Sequence, residues 1–225
     1  MLNSLISGRA FLPPEQFEND KSEALCFTGH REKSIPPFNN SEKYRDITYF
    51  ALKQLLSRYI DIAVRSGYRC FISGFAEGID LWAAEYILRR KKEGADISLI
   101  GAVPYLHHAD FFNRSSLDLL RFAEQNADTV VLVNQNPDAQ YSISPVNDNQ
   151  SKNLYRDRNY FMVENSSAII AFLNENLKWS GSHQTFNYAK KCGHKICRFG
   201  LDEVYSLLKE GNFDQKAIAE IVKHI

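Results

Sequence analysis

Apolar residues along this chain fall into short, nearly uninterrupted runs separated by longer stretches with helical spacing. Ala24–Thr28, 69–73, 97–103, 128–133, Ala168–Leu173 and 195–199 are rich in Val, Ile, Leu and Phe, mostly without polar alternation. Runs of this kind belong to strands buried on both faces. Between them, Ser41 precedes a long helical pattern with Tyr44, Ile47, Ala51, Leu55, Tyr59 and Ile62 on one stripe, stopped at Gly67. Asp80 opens a second helix carrying Leu81, Ala84, Ile87 and Leu88, which ends at Gly94. Further helices are predicted over 109–126, 152–165 and 181–192. A loop rich in Asn, Asp, Ser and Pro covers 134–151, and loops of that length are usually functional or mobile. After Phe199, Leu201, Val204, Leu207 and Leu208, then Ile218, Ile221 and Val222, mark one or two amphipathic helices. Strands alternating with helices predict an α/β fold: a Rossmann-like, doubly wound, mostly parallel sheet with helices on both faces. The body spans 24–200. An N-terminal extension, 1–23, is expected to be loosely packed or to lie across it, and 201–225 forms a helical tail. No internal repeat is visible.

Composition narrows the function classes. A chain of 225 residues makes one domain, or one with appendages. Its 44% hydrophobic and 24% charged content excludes disordered or collagen-like classes. Lys+Arg and Asp+Glu are both 27, so there is no cationic excess, and a broad nucleic-acid surface is not expected. No apolar run approaches the roughly 18 residues of a membrane helix. Met1 to Asp20 lacks a basic stretch followed by an apolar core, so a cytoplasmic protein is expected. Cys26, Cys70, Cys192 and Cys197 fit no common zinc spacing and are read as reduced thiols, and His107-His108 offers no metal signature. Neither a metal nor a cofactor is expected.

In open parallel sheets ligands bind outside the carboxyl ends of the strands, so the residues that follow each strand matter most. After the first strand stands Thr28-Gly29-His30-Arg31, which combines a hydroxyl, a tight turn and a guanidinium suited to phosphate or carboxylate. An ordinary strand exit with a solvated arginine accounts for it equally. After the second strand comes Ser73-Gly74-Phe75-Ala76-Glu77-Gly78-Ile79-Asp80, two glycines bracketing a loop that enters a helix. Such a helix start favours anions through its dipole and unpaired N–H groups. Asp80 is an N-cap or a ligand for a ribose hydroxyl, and Glu85, further along, is more often a surface carboxylate than a catalytic one. Later, Gly181-Ser182-His183-Gln184-Thr185 enters another helix and makes a second candidate cradle, with simple capping as the plain alternative. Arg158 and Asn159 are placed to face the pocket from a helix start, unless they belong to a solvated charged face.

Cys26 to Arg31, Ser73 to Asp80 with Ala83-Ala84-Glu85, Arg158-Asn159 with Met162-Val163, and Gly181 to Thr185 occur in this order. Together they resemble the YpsA-type branch of the SLOG superfamily, whose Rossmann-like members are related to DprA and the Lonely Guy phosphoribohydrolases. The resemblance covers about 24–199. It implies a pocket for a nucleotide or nucleotide derivative, such as a nucleotide sugar or ADP-ribose, at the carboxyl edge of the sheet. The chain departs from the family pattern where Phe75 replaces the second loop's second glycine, where Ser182-His183 replace Gly-Thr, and where no Glu follows Thr185. A bulkier loop is expected to keep the backbone further from a phosphate.

The leading expectation is a small-molecule nucleotide-binding protein using Thr28, Gly29, His30, Arg31, Ser73, Gly74, Glu77, Gly78, Asp80, Arg158, Asn159, Gly181, Ser182 and Thr185. The alternative is an enzyme that cleaves an N-glycosidic bond, with Glu77, Asp80 or Glu85 as candidate catalytic carboxylates. A DprA-like single-strand DNA binder ranks third, since the basic residues are scattered and offset by acids. Homo-oligomerisation is open, because the tail's apolar residues serve packing on the body equally well.

Overall fold

A computed structural model describes residues 2–140 and 149–225. Of the loop expected over 134–151, residues 141–148 therefore lie outside the described residues, and 149–151 are helical. The strands are β1 (Ala24–Thr28), β2 (Cys70–Ser73), β3 (Ser98–Val103), β4 (Thr129–Leu132), β5 (Ala168–Leu173) and β6 (Lys195–Gly200). They form one parallel six-stranded sheet in the order β4-β3-β2-β1-β5-β6. The helices are α1 (Arg45–Arg65), α2 (Ile79–Lys92), α3 (Arg114–Asn126), α4 (Asn149–Glu164), α5 (Gly181–Lys191), α6 (Leu201–Glu210) and α7 (Gln215–Lys223).

Alternate residues of each strand serve two cores. Leu25, Phe27, Phe71, Leu99 and Ile170 pack with α1, α2, α3, α6 and α7. Ala24, Cys26, Ile72, Ile100 and Ile169 pack with Phe161–Val163 of α4 and Ala189 of α5. Apolar side chains at both parities explain the uninterrupted runs in the sequence. The chain steps from β1 outward to β4, then α4 crosses the opposite face and returns it to β5 beside β1. This reversal, between β1 and β5, is the topological switch point, where such sheets hold their ligands.

Three local readings are corrected. The helix expected over 109–126 starts only at Arg114, because the Asn113 side chain accepts the Ser116 amide and caps it there. The preceding residues form tight turns that bury Ala109 and Phe112 without a helix. The buried face of α1 is Thr48, Ala51, Leu52, Leu55, Leu56, Ile60 and Ala63. Tyr44, Ile47, Tyr59 and Ile62 of the expected stripe sit at its margin, where Tyr59 meets Phe199 at 5.0 Å between rings. Finally, α2 is capped by Gly78 rather than Asp80, which sits inside the first turn.

The first residues are knitted into the body. Phe11 is buried, and Leu12 makes a parallel bridge with Val131 at the β4 edge. The Arg9 guanidinium donates to the carbonyls of Glu124 (2.7 Å), Ala127 (2.6 Å) and Asp128 (2.8 Å), closing the end of α3.

Candidate functional site

At the switch point a cavity of about 270 Å³ opens between the end of β1, the start of α5 and the middle of α4. Its wall includes Thr28, Gly29, His30, Arg31, Asp80, Arg158, Asn159, Gly181 and Ser182 from the sequence-based candidates. The 155, 158, 159 and 162 positions of α4 all face it, a helical face at i, i+3, i+4 and i+7. Arg158 and Asn159 thus reach the site from mid-helix, not from a helix start.

The loops that form the site fit against one another because side chains are missing at fixed points. A Cβ on Gly29 would lie 2.4 Å from the Ile79 side chain. Gly78, at φ +87°, packs on the 30–32 segment, where a Cβ would stand 2.7 Å from the His30 carbonyl oxygen. Gly74 makes room for Arg158, whose Nη1 would be 1.8 Å from an added Cβ. The Ser182 hydroxyl donates to the Gly29 carbonyl at 2.7 Å and ties α5 to the β1 exit. Ser180 caps α5 by accepting the His183 amide.

Phe75 corrects the expectation of a bulky second loop. Its backbone takes a left-handed conformation (φ 49°), while its fully buried ring packs onto Gly101, outside the cavity wall. A Cβ at 101 would sit 2.2 Å from that ring. The left-handed backbone of a non-glycine costs of order 1–3 kcal/mol, held in place here by the buried ring.

One ion pair dominates the electrostatics. Asp80 Oδ2 and Arg158 Nη1 are 3.6 Å apart, and each residue is only 5% exposed. Arg158 also donates to the Gly74 carbonyl. Burial pushes the Asp80 carboxyl up to about 6, against the pull of Arg158, the Ala76 amide and Arg31. Burial likewise pulls the Arg158 guanidinium down, against Asp80. His30 is held down at about 4 by burial and the nearby His183. Behind the site, His108 is held down at about 3 by burial and by Arg158. Asp80 Oδ1, Arg158 Nε and His30 Nε2 are buried without a hydrogen-bond partner among the described residues. The Arg31 guanidinium lies over the Tyr155 ring, 5.5 Å from its centroid, and the Tyr155 and Tyr105 hydroxyls are 3.3 Å apart.

The other candidates are not in the cavity wall. The buried Ser73 hydroxyl donates to the Asp80 carbonyl, and the Thr185 hydroxyl donates back to the Gly181 carbonyl. Glu77 accepts both the Asn113 amide and its side-chain Nδ2 at 3.1 Å, which fastens the α3 start to the second loop. Glu85 is exposed and lines a different cavity between α1 and α2, with Trp82, Lys53 and Arg89. Five residues along a helix turn a side chain about 140° away from Asp80, so Glu85 and Asp80 cannot share a site. Ser34, Ala76, Tyr155, Met162 and Ser180 complete the wall; none was among the expected binding residues, although Ala76 and Met162 lie in the runs that carry the family resemblance. The α4 members were detectable from their helical spacing around Arg158.

Among the described residues no group of three or more His, Cys, Asp and Glu is placed to hold a metal ion. No described helix is long and apolar enough to cross a membrane.

An all-parallel sheet with helices on both faces and a polar cavity at its switch point defines a Rossmann-like α/β protein. Residues 25–196 match the YpsA family model, described as the YspA SLOG family, and the chain belongs to that family. A UPF0398 protein of Brevibacillus brevis is 25% identical over 196 residues, covering 87% of this chain and 92% of that one. A UPF0398 protein of Bacillus thuringiensis is 22% identical over 153 residues, covering 68% and 75%. Among solved structures, DNA processing protein A of Streptococcus pneumoniae aligns with a TM-score of 0.48 at 15% identity, over 79% of this chain. This chain spans 50% of that protein's length. DNA processing protein A of Helicobacter pylori, whose structure was described for its single-stranded DNA binding mode, aligns with a TM-score of 0.45 at 16% identity.

Proposed function

We propose that the chain binds a nucleotide or nucleotide derivative in the switch-point cavity. The observation that carries this reading is the set of buried polar atoms without partners among the described residues, Asp80 Oδ1, Arg158 Nε and His30 Nε2, on residues of one cavity wall. Buried polar groups of native proteins are nearly always satisfied, so a polar ligand accounts for them. Arg31 and the first turn of α5, whose N–H groups have no intrahelical acceptor, suit a phosphate. The ionised Asp80 suits a ribose hydroxyl. The cavity, about 270 Å³, lies just below the usual small-molecule range of roughly 300–1,000 Å³. It therefore takes a phosphorylated sugar rather than the whole of a dinucleotide.

Calorimetry and thermal shift with AMP, ADP-ribose, NAD and a nucleotide sugar test the reading. At least one should bind, and Arg31→Ala should weaken it by roughly ten- to a hundredfold, the worth of a charge-assisted hydrogen bond of about 1.5–3 kcal/mol. Silence of the folded protein across the panel would sink it. A second reading, N-glycosidic cleavage, is favoured by one observation: burial raises the Asp80 carboxyl to about 6, so it exchanges a proton near neutrality. Under that reading nucleoside monophosphates release free base, and Asp80→Asn stops the release.

A further inference from the structure

The switch-point cavity has a neighbour. A groove of about 740 Å³ is lined by Tyr160, Lys178, Trp179, Ser180, Gln184, Asn187, Tyr188 and Lys191. Ser180 belongs to the walls of both, and Tyr160 follows Asn159 of the first cavity directly on α4. Trp179 is 101% exposed, although a tryptophan buries more apolar area than almost any other side chain when it can. Beside it the Tyr160 and Tyr188 rings stack at 4.0 Å with 24° between planes. The Tyr188 hydroxyl donates to Glu164 at 2.7 Å, and the Arg156 guanidinium lies 5.9 Å from the centre of the Tyr160 ring. The groove wall itself carries two lysines and no carboxylate.

We infer that this groove holds the base of the nucleotide whose phosphorylated sugar lies in the switch-point cavity, with Trp179 as the stacking surface. The inference rests on the proposed nucleotide site and extends it across Ser180. The first cavity, about 270 Å³, takes the phosphorylated sugar under the proposed reading, which leaves the base to lie outside it. The adjoining groove is larger, faces it across one residue, and offers a planar apolar surface with positive charge and no acid in its wall. Indifference to base identity follows, because every base has a π-face. The same chemistry would serve a free nucleotide or one nucleotide of a single strand.

Ribose 5-phosphate and AMP, titrated by calorimetry against the unaltered protein, Trp179→Ala and Trp179→Phe, separate the two sites. AMP should bind the unaltered protein more tightly than ribose 5-phosphate, by about fivefold to a hundredfold. Trp179→Ala should remove that advantage while leaving ribose 5-phosphate binding unchanged, and Trp179→Phe should keep most of it. Equal binding of the two compounds to the unaltered protein overturns the base groove and leaves the phosphate site standing. If neither compound binds, both readings fall. A short oligothymidylate is the third probe. Binding weakened by both Trp179→Ala and Arg31→Ala supports the coupled site with a strand as its source. Weakening by Trp179→Ala alone separates the groove from the cavity and overturns the inference.

Discussion

At the residue scale the buried Asp80–Arg158 pair decides most. Neither charge would remain in a wall this dry without the other. Arg158→Met leaves a buried carboxylate without its counter-charge and should lower unfolding free energy by about 3–5 kcal/mol at pH 8. The loss should shrink at pH 5, where the Asp80 carboxyl, already raised by burial, takes up a proton instead. Urea unfolding at both pH values checks this, and an equal loss at both would mean that Asp80 is not the group left stranded. Arg158 stood out in the sequence because it follows a charged stretch and precedes Asn159. Asp80 stood out as well, but their pairing did not, since the two lie 78 positions apart on different helices, and only the folded chain brings them together. Glu85 illustrates the converse. Its nearness to Asp80 in sequence suggested a shared site, and helical rotation puts it on another surface.

At the element scale the strands were legible because a parallel sheet covered on both faces needs apolar residues at both parities. Helix starts were less so, because they depend on caps whose partners are distant. The apolar residues at 109–112 continue a helical pattern, yet Asn113 begins α3, held by a carboxylate from the second loop. Glu77→Ala should therefore behave as a structural change. Removing an acceptor that serves two donors costs about 1–3 kcal/mol of stability, seen in denaturant titration, while ligand affinity stays as it was. An altered affinity would return Glu77 to the site. The N-terminal segment follows the same logic, since its role lies in carbonyls it covers more than a hundred positions later. Arg9→Ala uncovers the end of α3 and should lower the melting temperature by several degrees, matching about 1–3 kcal/mol; no change in a thermal melt would show those carbonyls to be equally well served by water.

At the scale of the whole molecule the charge balance is zero, yet the acid response is not neutral. His30 and His108 are held at about 4 and about 3 in the folded chain, below the usual 6.5. Unfolding lets both take up protons, so their stabilising share is present above pH 6.5 and is lost as pH falls towards those values. Asp80 has the opposite sign, because its folded value lies above its usual 3.8, and between those values acid favours the fold. Two histidines outweigh one carboxyl. Stability should fall on acidification, most steeply between about pH 4.5 and 6, at up to about 1.4 kcal/mol per pH unit for each histidine. His108→Leu should flatten the profile of unfolding free energy against pH, and an unchanged slope would remove His108 from the account. That a ligand site lies at the carboxyl ends of the strands could be expected from the fold class; the order of the strands, and so which pair opens, could not, because that depends on α4 crossing back over the sheet. The Phe75 ring seated on Gly101 bears on how this site works in time. A second loop pinned from beneath, and locked to its neighbour by Gly78, has no hinge to swing. Under the proposed reading this loop is already ordered before a ligand binds, so little of its ordering entropy is left to lose.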